Sequence, residues 1–368
     1  MKSDFIPYVN LFSQWKLERK TLLKIIDQVI SKQDWVGGKE IEKFEKKIIN
    51  HTKTKYAVAL NSGTDALTIG LYLIGVRRGD EVITTPNSFI ASVASIVHIG
   101  AKPVFVDVKA DQNIDTKLIE NKISNKTKAI MPVHLTGRIS DMDKIISLSK
   151  KYSIPIIEDA AQSINAKFNN MPAGSFGKVG CFSAHPLKNL NAIGDSGYLV
   201  TNDKRIFDQA KQLRSHGLKN RNFVDRFGYV SRMDTIQAAI LNYRIKNLNK
   251  VIKKRRENFN TYSKHLNTKY IFFPNEENYQ FNTYHTFVIQ VDKRDKLREY
   301  LNKNGVGTAI HYPIPIHLQK AAKHLNYKKG DFVNTETQAK RILTLPINES
   351  LNGKQIIKIS NLVNNFYK

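Results

Sequence analysis

Between residues 56 and 159 the chain repeats one pattern: a short apolar run, a turn, then a stretch with helical periodicity. Tyr56-Ala57-Val58-Ala59-Leu60 leads into the turn Asn61-Ser62-Gly63-Thr64-Asp65 and an apolar helix. Glu81-Val82-Ile83-Thr84 precedes the loop Pro86-Asn87-Ser88-Phe89 and a helix over 90–99. Strands at 103–107 and 129–133 follow, then a helix over 142–152 and a strand at 155–159. Parallel strands need a crossover, usually a helix, so this alternation predicts an α/β fold with a mostly parallel central sheet covered on both faces. Ligands of such sheets gather beyond the carboxyl ends of the strands. Thr64, Phe89, His134 and Asp159 all fall just past a strand end, which makes that edge the expected site.

The most marked stretch covers residues 180–203. An apolar strand at Cys181 and Phe182 breaks at Pro186, Lys188 follows, and Gly194 and Gly197 precede a second apolar run, Tyr198-Leu199-Val200. Upstream, the strand at 155–159 ends on Glu158 and Asp159. A neutral lysine amine can form a Schiff base with an aldehyde cofactor. Pyridoxal phosphate also needs a carboxylate at its ring nitrogen and a helix N-terminus for its phosphate. Lys188, Asp159 and the turn at 61–66 supply those three groups in type and position. The turn is neither a six-residue phosphate loop nor a GxGxxG fingerprint. A capping aspartate, a solvated lysine and an ordinary N-cap turn are the competing reading of the same residues.

Composition bounds the rest. At 368 residues the chain can bury a large domain and a smaller one. Its single cysteine, Cys181, excludes an intrachain disulfide and a cysteine-rich metal site, and no metal is expected. No signal peptide or membrane-length apolar run is seen, so a cytoplasmic location is expected. Lysine and arginine total 58 against 32 acidic residues, a net charge of +26. The basic residues are spread along the chain without a nucleic-acid-binding motif, so neither nucleic acid nor membrane is expected as a partner. A long polar-basic helix over 241–260 separates a large domain, 1–249, from a small α+β domain, 250–368. The latter shows strand-like runs at 270–274, 286–291 and 308–310 and a helix bearing Leu297 and Leu301. Residues 1–35 are expected to pack near the small domain or the active site.

A run of motifs adds to this reading: NSGTDAL at 61–67, TTPNSFIAS at 84–92, PVFVDV at 103–108, MPVHLTG at 131–137, IIEDAAQS at 156–163, FSAHPLKNLNAIGDSG at 182–197, LRSHG at 213–217, SRMDTIQAAIL at 231–241 and HYPIPIHLQ at 311–319. In these motifs, and over nearly its whole length, the chain resembles the sugar-nucleotide aminotransferases of the DegT/DnrJ/EryC1/StrS family. The resemblance implies an aspartate aminotransferase-like fold, that of the fold-type I pyridoxal-phosphate enzymes. It also implies an activity: transfer of an amino group, usually from L-glutamate, onto a keto-sugar carried on a nucleoside diphosphate. The cofactor would alternate between pyridoxal and pyridoxamine phosphate.

By the same resemblance Lys188 is the Schiff-base lysine and the proton carrier. Asp159 pairs with the ring nitrogen, Gln162 lies on the ring's phenolate side and Phe89 stacks on it. Gly63, Thr64, Asp65 (through its backbone N–H) and Ser183 hold the phosphate. His185, Asn189, His311 and Tyr312 are the candidates for touching substrate, and Arg232 reads as an ion pair or an anion ligand. A homodimer with shared active sites is implied, as is amination at carbon 3 in preference to carbon 4, serving surface polysaccharide, lipopolysaccharide or other glycoconjugates. The chain departs from the pattern at Val230, where an asparagine would reach across the dimer to the phosphate, and at Asn191 and Ser196, where glycines are usual. A pyridoxal-phosphate sugar dehydratase or deoxygenase is one alternative, although relatives of that kind replace the lysine by histidine. A non-enzymatic basic binding protein is the other.

Overall fold

The computed structural model describes residues 5–368. Helices α1 (Leu11–Ser31) and α2 (Lys39–Thr52) lead into the strand–helix series. It runs through β1 (Tyr56–Leu60), α3 (Gly63–Leu73), β2 (Glu81–Thr84), α4 (Ile90–His98), β3 (Lys102–Phe105), β4 (Thr127–Ile130), α5 (Met142–Tyr152) and β5 (Ile157–Asp159). Strands β6 (Val179–Ser183) and β7 (Gly197–Thr201) bracket the Lys188 loop and are followed by α6 (Lys204–Leu213) and α7 (Thr235–Arg244).

The strands form two hydrogen-bonded groups, β1-β7-β6-β5 and β3-β2-β4. Parallel bridges from Ile130 to Ile156 and from Val133 to Asp159 join them into one sheet. Only β7 runs against its neighbours, β1 and β6; the other pairings are parallel. The sheet is therefore mostly parallel. Alternate residues of a strand point to opposite faces, and the core divides accordingly. Val58, Leu60 and Leu199 pack with α3 residues Leu67 and Leu71. Ala57, Ala59, Tyr198 and Val200 pack on the other side with Phe44 and Ile48 of α2 and Leu241 of α7.

The helix expected over 241–260 is two helices. α7 stops at Arg244, a 3-10 turn covers Ile245–Asn247, and α8 spans Leu248–His265. The break has a packing reason. Ile245, Leu248 and Ile252 belong to the core under the large sheet, whereas Phe259 and Tyr262 belong to another cluster, and one straight apolar stripe would not serve both.

That second cluster is built from α8, β8 (Ile271–Phe272), β9 (Phe287–Val291), α9 (Arg294–Lys303), β10 (Ile342–Leu345) and α11 (Gly353–Phe366), with α10 (Val333–Arg341) leading into β10. Its sheet, β8-β9-β10, is antiparallel. Ile6 is buried in the same cluster and pairs with Val306, exchanging hydrogen bonds with Gly305 and Gly307 at 2.7 and 2.9 Å. The run at 308–310 is not a strand: Ala309 alone bridges to Thr344, and Pro313 and Pro315, which lack an N–H, soon follow. The strand at 103–107 ends at Phe105. Asp107, beyond it, caps α10 from outside by accepting the N–H groups of Asn334 and Thr335, both at 2.9 Å.

Candidate active site

A cavity of about 560 Å³ opens beyond the carboxyl ends of β5 and β6. The loop that carries Lys188 is closed on itself. The Lys188 N–H donates to the His185 carbonyl at 2.8 Å, and Ala184 is tied to Ser196 and Ala192 across the loop, each at 2.8 Å. Its amine enters the cavity, ringed by protein atoms yet reachable from the space inside. Burial pulls that amine down to about 8, against the opposing charge of Asp159. A substantial share is then neutral near physiological pH, which is what nucleophilic attack requires.

Asp159 ends β5 and lies in the wall of the cavity, 4% exposed. Its Oδ2 accepts the Ser92 hydroxyl at 2.6 Å and its Oδ1 accepts the Ala161 N–H at 3.2 Å. Ser92 is in turn paired with Ser88 at 2.6 Å. These donors fix the orientation of the carboxylate. The neighbouring carboxylate does different work. Glu158 is fully buried and accepts the N–H groups of Gly174, Phe176 and Gly177 at 2.7–2.8 Å. Its fourth partner is His134 Nε2 at 3.0 Å. Because His134 Nδ1 accepts the Ser140 N–H at 3.3 Å, its proton sits on Nε2 and is donated to Glu158. His134, expected at the binding edge, is thus a structural residue under the sheet.

The turn at the start of α3 lies against the ends of β6 and β7, and two glycines allow it. A Cβ on Gly63 would stand 2.8 Å from Ser183 Cβ, and one on Gly197 would stand 2.2 Å from the Ser62 carbonyl carbon. Gly63, Thr64 and Ser183 all face the cavity, and first-turn N–H groups have no acceptor within their own helix. Asp65 is not part of this cradle. Its N–H is taken by the capping Ser62 Oγ at 3.0 Å, and its carboxylate accepts the Ser231 hydroxyl at 2.6 Å. Asn189 also turns away from the cavity: its amide donates to the Thr283 carbonyl at 3.1 Å.

The other expected residues converge. Gln162 faces the cavity with its Oε1 fixed by the Thr136 N–H at 2.7 Å. Phe89 is 55% exposed and its ring lies 5.8 Å from that of Tyr312. His185 and His311 line the same space. Burial and Lys188 hold His311 down to about 4, so it is neutral in the physiological range. Arg232 is an exposed residue outside the lining. The sequence reading missed His285, a partly buried cavity residue whose Nδ1 has no partner among the described residues. Its imidazole is held well below the usual range by burial, then by Lys188 and Arg255. It also missed Ser92, although the residue lay inside a motif already singled out. The donor set fits pyridoxal phosphate: an amine for the aldehyde, an anchored carboxylate for the ring nitrogen, and a glycine-cleared helix terminus with a hydroxyl for the phosphate.

Comparison with known proteins agrees. The sequence matches the DegT/DnrJ/EryC1/StrS aminotransferase family over residues 16–364. It is 35% identical to the UDP-N-acetyl-3-dehydro-alpha-D-glucosamine 3-aminotransferase of Acidithiobacillus ferrooxidans, covering 97% of each chain. It is 34% identical to the dTDP-3-amino-3,6-dideoxy-alpha-D-galactopyranose transaminase of Aneurinibacillus thermoaerophilus, covering 98% of this chain and 99% of that one. Among solved structures, DesV of S. venezuelae superposes with a TM-score of 0.96 at 32% identity, over 99% of both chains. NtdA of Bacillus subtilis, solved with bound cofactor PMP, gives 0.88 at 32% identity over 95% of this chain and 82% of that one. A match of this extent leaves one assignment: the chain belongs to the DegT/DnrJ/EryC1/StrS aminotransferase family.

Proposed function

We propose that this pyridoxal-phosphate-dependent sugar-nucleotide aminotransferase moves an amino group from L-glutamate onto carbon 3 of a keto-sugar carried on a nucleoside diphosphate. The observation that carries the reading is the Lys188 amine, held at about 8 inside a cavity that Asp159 also lines. The cofactor, when bound, supplies an aldehyde that takes up the amino group and a ring that accepts the electrons of the broken bond. Asp159, oriented by Ser92 and Ala161, would hold a proton on the ring nitrogen. Gly63, Thr64 and Ser183 would bind the phosphate, and Gln162 and Phe89 would fix the ring. Lys188 Nζ would carry the proton between cofactor and substrate carbon, because its affinity lies close to working pH. His185, His285, His311 and Tyr312 are left to face the substrate.

Carbon 3 is supported by the relatives, two of which are named for amination at that position. The product is assigned to amino-sugar synthesis for surface polysaccharide, lipopolysaccharide or other glycoconjugates. Residues 1–249 are assigned to the cofactor-binding domain and 250–368 to the smaller one. A cytoplasmic location accords with the model, where no helix among the described residues is long and apolar enough to cross a membrane. A homodimer would cover the exposed apolar side chains of Phe223, Phe227 and Val230, which are 59%, 98% and 61% exposed.

The test is product identification. Purified enzyme, L-glutamate and a 3-keto or 4-keto sugar nucleotide are incubated and the amino-sugar is assigned by NMR. A 4-amino product alone overturns the carbon-3 assignment, and release of ammonia without amino-sugar overturns amino transfer.

A further inference from the structure

Helix α1 closes one wall of the cavity through Asn10, Gln14, Leu17 and Glu18. Its hold on the core is slight, since only Leu22 and Val29 of its 21 residues are buried. Polar contacts hold its first turns instead. Gln14 and Asn191 exchange two amide hydrogen bonds: Gln14 Nε2 donates to Asn191 Oδ1 at 3.1 Å, and Asn191 Nδ2 donates to Gln14 Oε1 at 3.0 Å. The Asn191 amide also donates to the Pro186 carbonyl at 2.8 Å, within the loop that bears Lys188. One turn along, Glu18 accepts from Arg244 at 2.7 and 2.9 Å, and Arg244 Nη1 donates to the carbonyls of Asn191 and Ala192 at 2.8 and 3.1 Å. The helix thus holds the lysine loop directly at the Asn191 side chain and, through Arg244, at the carbonyls of Asn191 and Ala192. A glycine at position 191, the residue usual in the family, could make none of the side-chain bonds.

We propose that Gln14 and Asn191 are positioning residues that set the distance between α1 and the Lys188 loop, and so determine which sugar nucleotides the pocket admits. This rests on the aminotransferase reading with glutamate as donor. Both substrates must react at Lys188, but a sugar nucleotide is much the larger and fills more of the cavity, whose lining includes Asn10, Gln14 and Leu17 at the α1 wall. Breaking the amide pair frees a helix start with little apolar anchorage. The sugar-nucleotide step then suffers and the glutamate step does not.

Three holoenzymes test this: wild type, Asn191→Gly, and the double variant Gln14→Asn with Asn191→Gln. The double variant exchanges the two amides while keeping the combined side-chain length. The readouts are kcat and KM for the keto-sugar nucleotide, the absorbance change of the cofactor on adding glutamate, and deuterium uptake over residues 10–18. Asn191→Gly is expected to raise KM about tenfold, the scale of one or two net hydrogen bonds. It should raise deuterium uptake over 10–18 and alter the glutamate step by less than about twofold. The double variant is expected to recover both KM and protection to within about threefold. Wild-type KM and uptake in Asn191→Gly, an equal loss on the glutamate step, or no recovery in the double variant overturns the proposal. Should the wild type itself not react with glutamate, the donor assignment fails, and deuterium uptake still decides the role of the amide pair.

Discussion

Replacing Lys188 by methionine is expected to make the cofactor-free protein more stable at neutral pH. Burial draws the amine from 10.5 to about 8, while Asp159 opposes the shift. At roughly 1.36 kcal/mol for each tenfold change in proton affinity, keeping this ammonium charged in the fold costs about 3 kcal/mol. The sign follows from proton counts. Between pH 8 and 10.5 the unfolded chain holds the proton and the folded chain has released it, so stability rises with pH across that window. Below about pH 8 the full penalty applies. Methionine is of similar length and carries no charge, so it removes the penalty. The attraction of Asp159 is already contained in the shifted value, so the expected gain is the whole of it, about 3 kcal/mol. The assay is urea unfolding of both proteins at pH 7 and pH 10, after the cofactor has been stripped with hydroxylamine. The difference should be largest at pH 7 and fall below about 1 kcal/mol at pH 10. A variant no more stable than wild type at pH 7, or a gain undiminished at pH 10, refutes the reasoning.

Three further outcomes follow from the site and its supports. Asp159→Asn keeps the shape but removes the charge that Ser92 and Ala161 orient; steady-state turnover should fall by at least about a hundredfold, with a far smaller effect on KM. Glu158→Gln should leave the cavity lining unchanged and lower stability by about 3–5 kcal/mol, read by urea unfolding, because three backbone N–H groups and His134 lose a charged acceptor in a fully buried place. Gly197→Ala puts a methyl group 2.2 Å from the Ser62 carbonyl carbon, so the turn must move; equilibrium dialysis should show pyridoxal phosphate binding weakened by at least about tenfold, while a methyl tolerated without loss would show that the cradle can yield.

The strand–helix series was legible because each element carried its own signal. YAVAL and EVIT lie between turn residues and coincide with β1 and β2, and the helix read over 142–152 coincides with α5. The same logic fails at α10, which the sequence analysis did not place. Its buried residues are Thr335, Gln338 and Ala339, so no apolar stripe announces it, and its N-terminus is fixed by Asp107 from far along the chain. In the site, Lys188, Asp159 and Gly63 could be found because their chemistry or lack of a side chain has few other uses at those places. Asp65 and Asn189 lie outside the cavity lining for a shared reason. A motif gives the spacing of donors along the chain, but not that Ser62 and Thr283 had already engaged them. His285 gave no local sign, since it reaches the cavity just ahead of a strand in the other core cluster.

Glu158 and Asp159 show how a single residue step separates support from chemistry. Adjacent residues of a strand face opposite sides of the sheet, so at most one of two consecutive carboxylates at the end of β5 could enter the cavity. The alternation forces that division, and the sequence reading placed Asp159 on the cavity side without a physical reason for the direction. The direction comes from what each face offers a buried charge. On one side the loop at 174–177 turns its N–H groups inward, with the Gly174 backbone so close to β6 that a Cβ on Gly180 would stand 2.4 Å from its Cα. On the other, a hydroxyl from α4 and one N–H hold the carboxylate and leave it facing open space beside an amine. A one-residue slip of β5 would send Glu158 into the cavity, where its longer side chain would lose all four partners and stand where Asp159 now lines the open space. Register at this strand is therefore a catalytic variable, and the buried acceptor at Glu158 sets it: its four donors can be satisfied in only one alignment of β5 against β6.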